Sequence, residues 1–226
     1  MAAATTDQAP VGVAPPDANR HRPYHHGDLR ASLLQAAEQE LAEKGIEGFT
    51  LRGCARRASV SHAAPAHHFR DVRALLTEIA RTGFERLSAT MSAHESGIPI
   101  GSIDYLIAVG RGYVAFAIAN PQLFRLLFQK NRLNTKDEGF RSAGNDAFDH
   151  PVRAVGAYYN SDARMSDPDL ANQVIGMWSL VHGLAELLLT TQLANRFDAT
   201  GKEIADRLVP ATIRQFFLGP EASASR

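Results

Sequence analysis

Apolar residues recur along this chain at steps of three and four almost throughout, the spacing that lines one face of an α-helix. Leu29, Leu33, Ala37 and Leu41 mark a first stripe. They predict a helix that opens at Asp28 and closes at Gly45, where a left-handed glycine lets Ile46 fold back on Leu41. Leu51, Cys54, Ala55 and Ala58 make a second, shorter stripe behind Thr50, whose hydroxyl can accept from an unpaired N–H of the first turn. The pattern breaks at Ser59-Val60-Ser61. Ser61 is then placed to cap a third helix from His62 to about Phe69, with Val60 and Pro65 at the spacing of a hydrophobic staple. Phe49, Val60 and Phe69 complete the core expected of this three-helix unit. From Asp71 a long helix runs to about His94, with Leu75, Leu76, Ile79, Phe84, Leu87 and Met91 on its apolar side.

Ser96-Gly97-Ile98-Pro99 interrupts the periodicity and sets a boundary. Beyond it Leu106, Val109, Tyr113 and Phe116 step by three and four. Asn120-Pro121 ends that helix and begins another, with proline at its first position, and Leu123, Phe124, Leu127 and Phe128 form its apolar face. Residues 131–139 are polar and predict a loop. Phe140, Ala147, Phe148, Val152 and Val155 predict a further helix, kinked or broken near Pro151. Asp167-Pro168 opens a long helix to about Thr191. It is apolar on nearly all sides, through Val174, Met177, Trp178, Leu180, Val181, Leu184, Leu187, Leu188 and Leu189. Such a helix must be covered all round: one side can pack within its own fold and another against a partner, the alternative being that it and the last helix simply finish a monomer core. Thr200 to Glu203 is a capping box. It opens a last helix carrying Ile204, Leu208, Ile213, Phe216 and Phe217, which stops near Leu218. No segment predicts a strand. The chain is therefore read as all-α, with a disordered tail over 1–20, an N-terminal three-helix unit over 27–87 and a larger helical unit over 97–219.

Helices as short as the second and third cannot stand alone in water. Their small apolar faces must pack on the first helix, which leaves an outer face free. A helix-turn-helix with its second helix in a DNA major groove fits that description. The net charge of zero argues against a nucleic-acid binder, but its distribution changes the picture. Residues 20–86 hold 11 Lys+Arg against 8 Asp+Glu, with six histidines besides, whereas residues 87–226 hold 13 against 14. Positive charge gathers where the short helices are. On the third helix His62, Ala63, Ala66 and His67 project to one side. Histidine can donate to a base acceptor or a phosphate, and alanine methyls can meet thymine methyls. The alternative is that both histidines simply face solvent. Arg52, Arg56 and Arg70 are available to backbone phosphates. Arg20, Arg22, His25 and His26 form either an arm toward phosphate or minor groove or a solvated linker.

In order and spacing, Thr50, Arg52, Cys54, Ala55, Ala58, Ser59, Val60, Ser61, His68, Phe69, Asp71 and Leu75 resemble the TetR family of one-component transcription regulators. The family pattern is roughly T-x-R-x-[IV]-A-x-x-A-G-V-S, then a short recognition helix ending in H-F, then D-K-x-x-L. The likeness covers about residues 27 to 87. Trp178, His182 and Gly183 resemble the Trp-His-Gly signature of one subgroup's C-terminal domain. Three positions depart: a common tyrosine is Ala66, the usual lysine is Val72 with Arg73 beside it, and the usual turn glycine is Ser59. The resemblance implies a double-stranded DNA operator, a homodimer through the last two helices, and a small-molecule effector. It gives Thr50, Ser61 and Arg73 a place at the DNA and His68 a hydrogen-bonded packing role. It also implies a pocket, for which Tyr113, Phe116, Phe124, Phe128, Tyr158, Trp178 and His182 are candidate lining, plain core being the alternative. Few charges fall at inward positions, so the ligand would be mostly apolar. The function implied is a cytoplasmic repressor released by that ligand.

The single cysteine excludes an intramolecular disulfide framework and fits a reducing cytoplasm; Cys54 reads as core filler rather than a redox sensor. The N-terminus lacks the basic start and apolar core of a secretory signal. No apolar run of about 18 residues is free of polar breaks, so no membrane span is predicted. An all-α enzyme is the rival class, but the nine histidines show no H-E-x-x-H or other ligand spacing, and no catalytic residue, cofactor or metal is assigned. A non-specific architectural DNA protein would need far more positive charge.

Overall fold

The computed structural model describes residues 26–161, 165–190 and 193–219; the N-terminal tail and the arm at Arg20, Arg22 and His25 lie outside them. The described residues form helices only. α1 (His26–Gly48) opens two residues before the expected cap and is interrupted at Gly45, whose φ of 67° is the positive value foreseen there. α2 (Leu51–Arg57) and α3 (Ala64–His68) are short. α4 (Val72–Glu95) is capped by Asp71, whose Oδ1 accepts from Ala74 N at 2.8 Å. α5 (Ile103–Ala119), α6 (Pro121–Leu127), α7 (Glu138–Tyr158) and α8 (Pro168–Thr190) follow. The capping box at Thr200 and Glu203 opens α10 (Gly201–Leu218). α9 (Leu193–Phe197), a single turn of five residues, has no counterpart in the sequence pattern.

α7 runs through Pro151 instead of stopping there. The missing N–H costs a helix one internal bond. Burial of Ala147, His150, Pro151, Ala154 and Val155 against neighbouring helices holds the segment helical.

α4 lies along both α5 and α7, and α5 also packs on α8 and α10. Small residues set these approaches. A Cβ built on Gly112 would stand 2.6 Å from the Met91 Cα, and one on Gly110 would stand 2.6 Å from Ile213 Cδ1. A buried polar chain also ties α4, α5 and α7 together. His150 Nδ1 lies 2.5 Å from Glu95 Oε1 and its Nε2 lies 2.8 Å from Ser88 Oγ, while Tyr105 donates to Glu95 Oε2 at 2.7 Å. Both carboxylate oxygens are used, the condition under which a buried polar group is tolerated.

The N-terminal helices attach to this body through ion pairs. Arg30 meets Glu78 at 3.1 Å and Arg86 meets Glu38 at 2.7 Å. The buried carboxylate of Glu40 takes Arg57 Nε at 2.6 Å, and Arg57 also binds Glu43. α8 is the one described helix long and apolar enough to cross a membrane by length and composition. Its Val174, Met177, Val181 and Ala185 are buried along one face, while Ile175 and Leu187 on another are exposed.

Candidate functional site

Two places on the molecule combine unusual exposure or space with defined chemistry. The first is the outer face of α2 and α3. Thr50 Oγ1 accepts from Gly53 N at 3.0 Å, as its sequence position predicts. Cys54 is fully buried, and its Sγ donates to Thr50 O at 3.2 Å. Burial pushes that thiol up to about 11, so it is a core residue. After α2 the chain reverses at Ser59, whose φ is 56°. Val60 N closes the turn on Ala55 O at 3.0 Å. Serine thus adopts the left-handed conformation that a glycine takes at less cost.

The third helix begins later than its sequence suggests. Ser61 makes no side-chain cap; its carbonyl accepts from Ala64 N at 3.0 Å, and Ser61-His62-Ala63 form turns ahead of α3. Ala63 occupies the N-cap without a side-chain bond, and Pro65 falls in the first turn. The cause is Pro65. A start at His62 would place it at the fourth helical position, where its missing N–H would delete an internal bond. In the first turn that N–H has no partner to lose.

Ser61, His62, Ala63, Ala66 and His67 are nonetheless all exposed on this face, with Arg52, Arg56 and Arg70 around it. His68 is half-buried, and no hydrogen bond to it is found among the described residues. Phe69 beside it is buried, with the Arg30 guanidinium 5.2 Å above its ring. Arg73 is exposed but not free. Its Nη2 donates to Asn131 O at 2.9 Å, in the loop between α6 and α7. That loop is further fixed by Asn134 N donating to Thr77 Oγ1 at 2.9 Å and by Arg132 with Glu47 at 2.6 Å.

The second place is a cavity of about 290 Å³. α4 lines it with Phe84, Leu87 and Met91, and α5 with Val109 and Tyr113. Phe128 follows α6, Gly144, Ala147, Phe148 and Pro151 come from α7, and Met177, Trp178 and Val181 from α8. Of the seven residues expected there, Tyr113, Phe128 and Trp178 are in place. Phe116 and Phe124 are fully buried core residues. Tyr158 packs on Tyr159 and Phe217, away from the cavity. His182 stands behind the wall, with its Nδ1 2.7 Å from the Tyr113 hydroxyl and its ring 4.7 Å from that of Phe128. The contributions of α4 and α7 were missed. Their apolar stripes looked like ordinary core, and the available signal was the small residues Ala143, Gly144 and Ala147 between Phe140 and Phe148 of α7.

Polar chemistry at the cavity is concentrated in one chain. Trp178 Nε1 donates to the Tyr113 oxygen at 3.3 Å, and that hydroxyl meets His182 Nδ1. Burial pushes the Tyr113 hydroxyl well above the ordinary tyrosine range. Burial also holds His182 below its ordinary value, partly offset by Glu186. No group of three or more His, Cys, Asp or Glu among the described residues is placed to hold a metal ion.

The pattern described as bacterial regulatory proteins, tetR family, matches residues 33–79, and the one described as tetracyclin repressor-like, C-terminal domain, matches residues 106–212. No curated protein matches the chain. Among solved structures, a protein of unknown function from Rhodococcus sp. RHA1 is 32% identical, with a TM-score of 0.68 over 86% of this chain and 98% of that one. A bacterial regulatory protein in the tetR family from Rhodococcus RHA1 is 19% identical, with a TM-score of 0.62 over 83% and 96%. AibR in complex with isovaleryl coenzyme A and operator DNA is 17% identical, with a TM-score of 0.59 over 81% and 97%.

Proposed function

The chain belongs to the TetR family of bacterial regulatory proteins, and from that premise we propose that it is a homodimeric, sequence-specific transcriptional repressor released from its operator by a small, mostly apolar ligand. One observation carries the reading: a single helix joins both candidate places. The start of α4 adjoins the exposed face of α2 and α3, and Phe84, Leu87 and Met91 of the same helix line the cavity. At 1.5 Å per residue, Val72 and Phe84 stand about 18 Å apart along the axis. A ligand that binds better to one placement of α4 shifts the recognition helices with it.

In this reading residues 27–87 bind DNA and residues 97–219 bind the ligand and a second subunit. Ser61, His62, Ala63, Ala66 and His67 meet base edges and the adjoining backbone, while Thr50, Arg52, Arg56 and Arg70 hold phosphates. Arg73 secures the loop before α7 rather than replacing the family's lysine. The dimer forms through α8 and α10, which expose Ile175, Leu187, Phe216 and Leu218 at 43%, 49%, 40% and 41%. Gly183 has open space where its Cβ would stand, which allows a partner helix to approach closely. The Trp178, His182 and Gly183 signature supports placing the chain in the Trp-His-Gly subgroup. AibR, with both an acyl coenzyme A and operator DNA, supports ligand control of DNA binding in this fold. The site of action is the cytoplasm, where the DNA is.

The test is fluorescence anisotropy with the intergenic DNA beside the protein's own gene, at two salt concentrations and against excess random DNA. Saturable, competitor-resistant binding is expected. Binding that random DNA removes in proportion to its length would instead mark a non-specific architectural protein.

A further inference from the structure

Resting on the reading of the cavity as the effector site, we infer that it selects an uncharged, compact apolar molecule that donates one hydrogen bond, an alcohol or phenol, to the Tyr113 hydroxyl oxygen. Size comes first. The cavity of about 290 Å³ is roughly twice the volume of an engineered cavity that takes benzene, so a compact bicyclic or tricyclic skeleton fits. Charge comes second. No Lys, Arg, His, Asp or Glu side chain lines it. A carboxylate or phosphate entering it would lose its water and find no counter-ion.

Hydrogen-bond direction comes third, and it decides the class. The indole N–H of Trp178 can only donate, and it is spent on the Tyr113 oxygen. The Tyr113 oxygen has one proton and two lone pairs. Its second neighbour is His182 Nδ1 at 2.7 Å. Burial favours the neutral form of that imidazole, and only one of the two atoms supplies the proton between them. If His182 supplied it, the proton of the buried Tyr113 hydroxyl would have no acceptor among the described residues, a costly arrangement. With the tyrosine donating to His182, the imidazole carries its own proton on Nε2, an atom that is not sealed in the interior without a partner. The Tyr113 oxygen, on a residue that lines the cavity, then keeps one acceptor position that no donor among the described residues fills. A ligand donor fills it; a ligand carbonyl meets no free donor.

Trp178 is the chain's only tryptophan, so its emission reports on this wall alone. The probes are adamantan-1-ol, adamantan-2-one and adamantane-1-carboxylate, which share a skeleton and do not fluoresce. The alcohol is expected to bind about five- to tenfold more tightly than the ketone, the effect of one neutral hydrogen bond, and the carboxylate is expected not to saturate. Tyr113→Phe removes the selecting oxygen and frees the Trp178 N–H for either probe, so the preference for alcohol falls to within about twofold while binding persists. In Gly144→Leu the first added carbon meets Phe84 at an ordinary 3.6 Å and the rest enters the cavity; this variant stays folded and loses the alcohol's effect. A ketone that binds as tightly as the alcohol in the unmodified protein overturns the inference. So does a saturating carboxylate, an alcohol response that survives in Gly144→Leu, or no response to any probe. Operator anisotropy run in parallel separates the two readings. Alcohol binding without operator release defeats ligand control and leaves the ligand class standing.

Discussion

At the scale of single residues, the turn between α2 and α3 is where sequence and backbone disagree most sharply. Ser59 holds a φ of 56°, a conformation that costs a residue with a Cβ about 1–2 kcal/mol. The turn keeps it because Ser59 N bonds Arg56 O and Val60 N bonds Ala55 O, and because Phe69 and Cys54 bury the helices on either side. Glycine would relieve the strain while adding about 0.4–1 kcal/mol of unfolded-chain freedom. Ser59→Gly is therefore expected to stabilise the protein by about 0.5–1 kcal/mol, read as a higher urea midpoint at unchanged slope. An unchanged or lower midpoint would mean that the serine side chain offsets the strain through a contact of its own.

At the scale of elements, the buried chain through Ser88, His150, Glu95 and Tyr105 does more than fill space between α4 and α7. Glu95 is 8% exposed and His150 is 4% exposed, and Glu95 is the group on which His150, Tyr105 and Arg153 converge. Glu95→Ala takes away the acceptor of the Tyr105 hydroxyl and the close partner of His150 Nδ1, leaving His150 the longer 3.3 Å contact with Arg153, a loss of about 3–5 kcal/mol. Urea unfolding of that variant measures it, and a loss under about 1 kcal/mol would show that solvent reaches the site. The caps at Thr50, Asp167 and Thr200 were legible in the sequence, because each rests on chemistry within three residues. Ser61 was not, because a serine cap and a proline three residues beyond N1 compete, and the proline's missing N–H prevails. The cavity was legible only in part for a different reason. Tyr113, Phe116, Phe124 and Phe128 share one kind of helical stripe, and periodicity cannot tell which of them faces a void. Gly144 and Ala147 on α7 make that choice, and their position opposite α5 is set by tertiary pairing. The buried Glu95 gave no sign either, since a glutamate at the end of a helix normally faces water.

At the scale of the whole molecule, the exposed face of α8 is what the monomer leaves unfinished. Ile175, Ser179, Gly183 and Leu187 follow one another at four-residue steps, and each lies outside the core built by Val174, Met177, Val181 and Ala185. α10 adds Leu218 and Phe216, the latter against Gly176. A two-fold pairing of this face would set two recognition helices on the same side, as two successive major grooves require. Ile175→Glu combined with Leu187→Glu puts two acidic groups on each protomer, and the symmetry brings them against their own copies. Sedimentation velocity is expected to show a dimer for the unmodified chain and a monomer for this variant at the same concentration. Far-UV circular dichroism should not change, because neither side chain enters the core. Operator affinity should fall by at least about a hundredfold, since each half-site is then held without the effective concentration its partner supplies. Quenching of Trp178 by a cavity ligand should survive, because the cavity is lined by α4, α5, Phe128, α7 and the inner side of α8 of one chain. That combination, lost DNA binding with retained ligand binding, distinguishes a broken dimer from a broken fold. A variant that stays dimeric with full operator affinity would place the subunit contact on another surface.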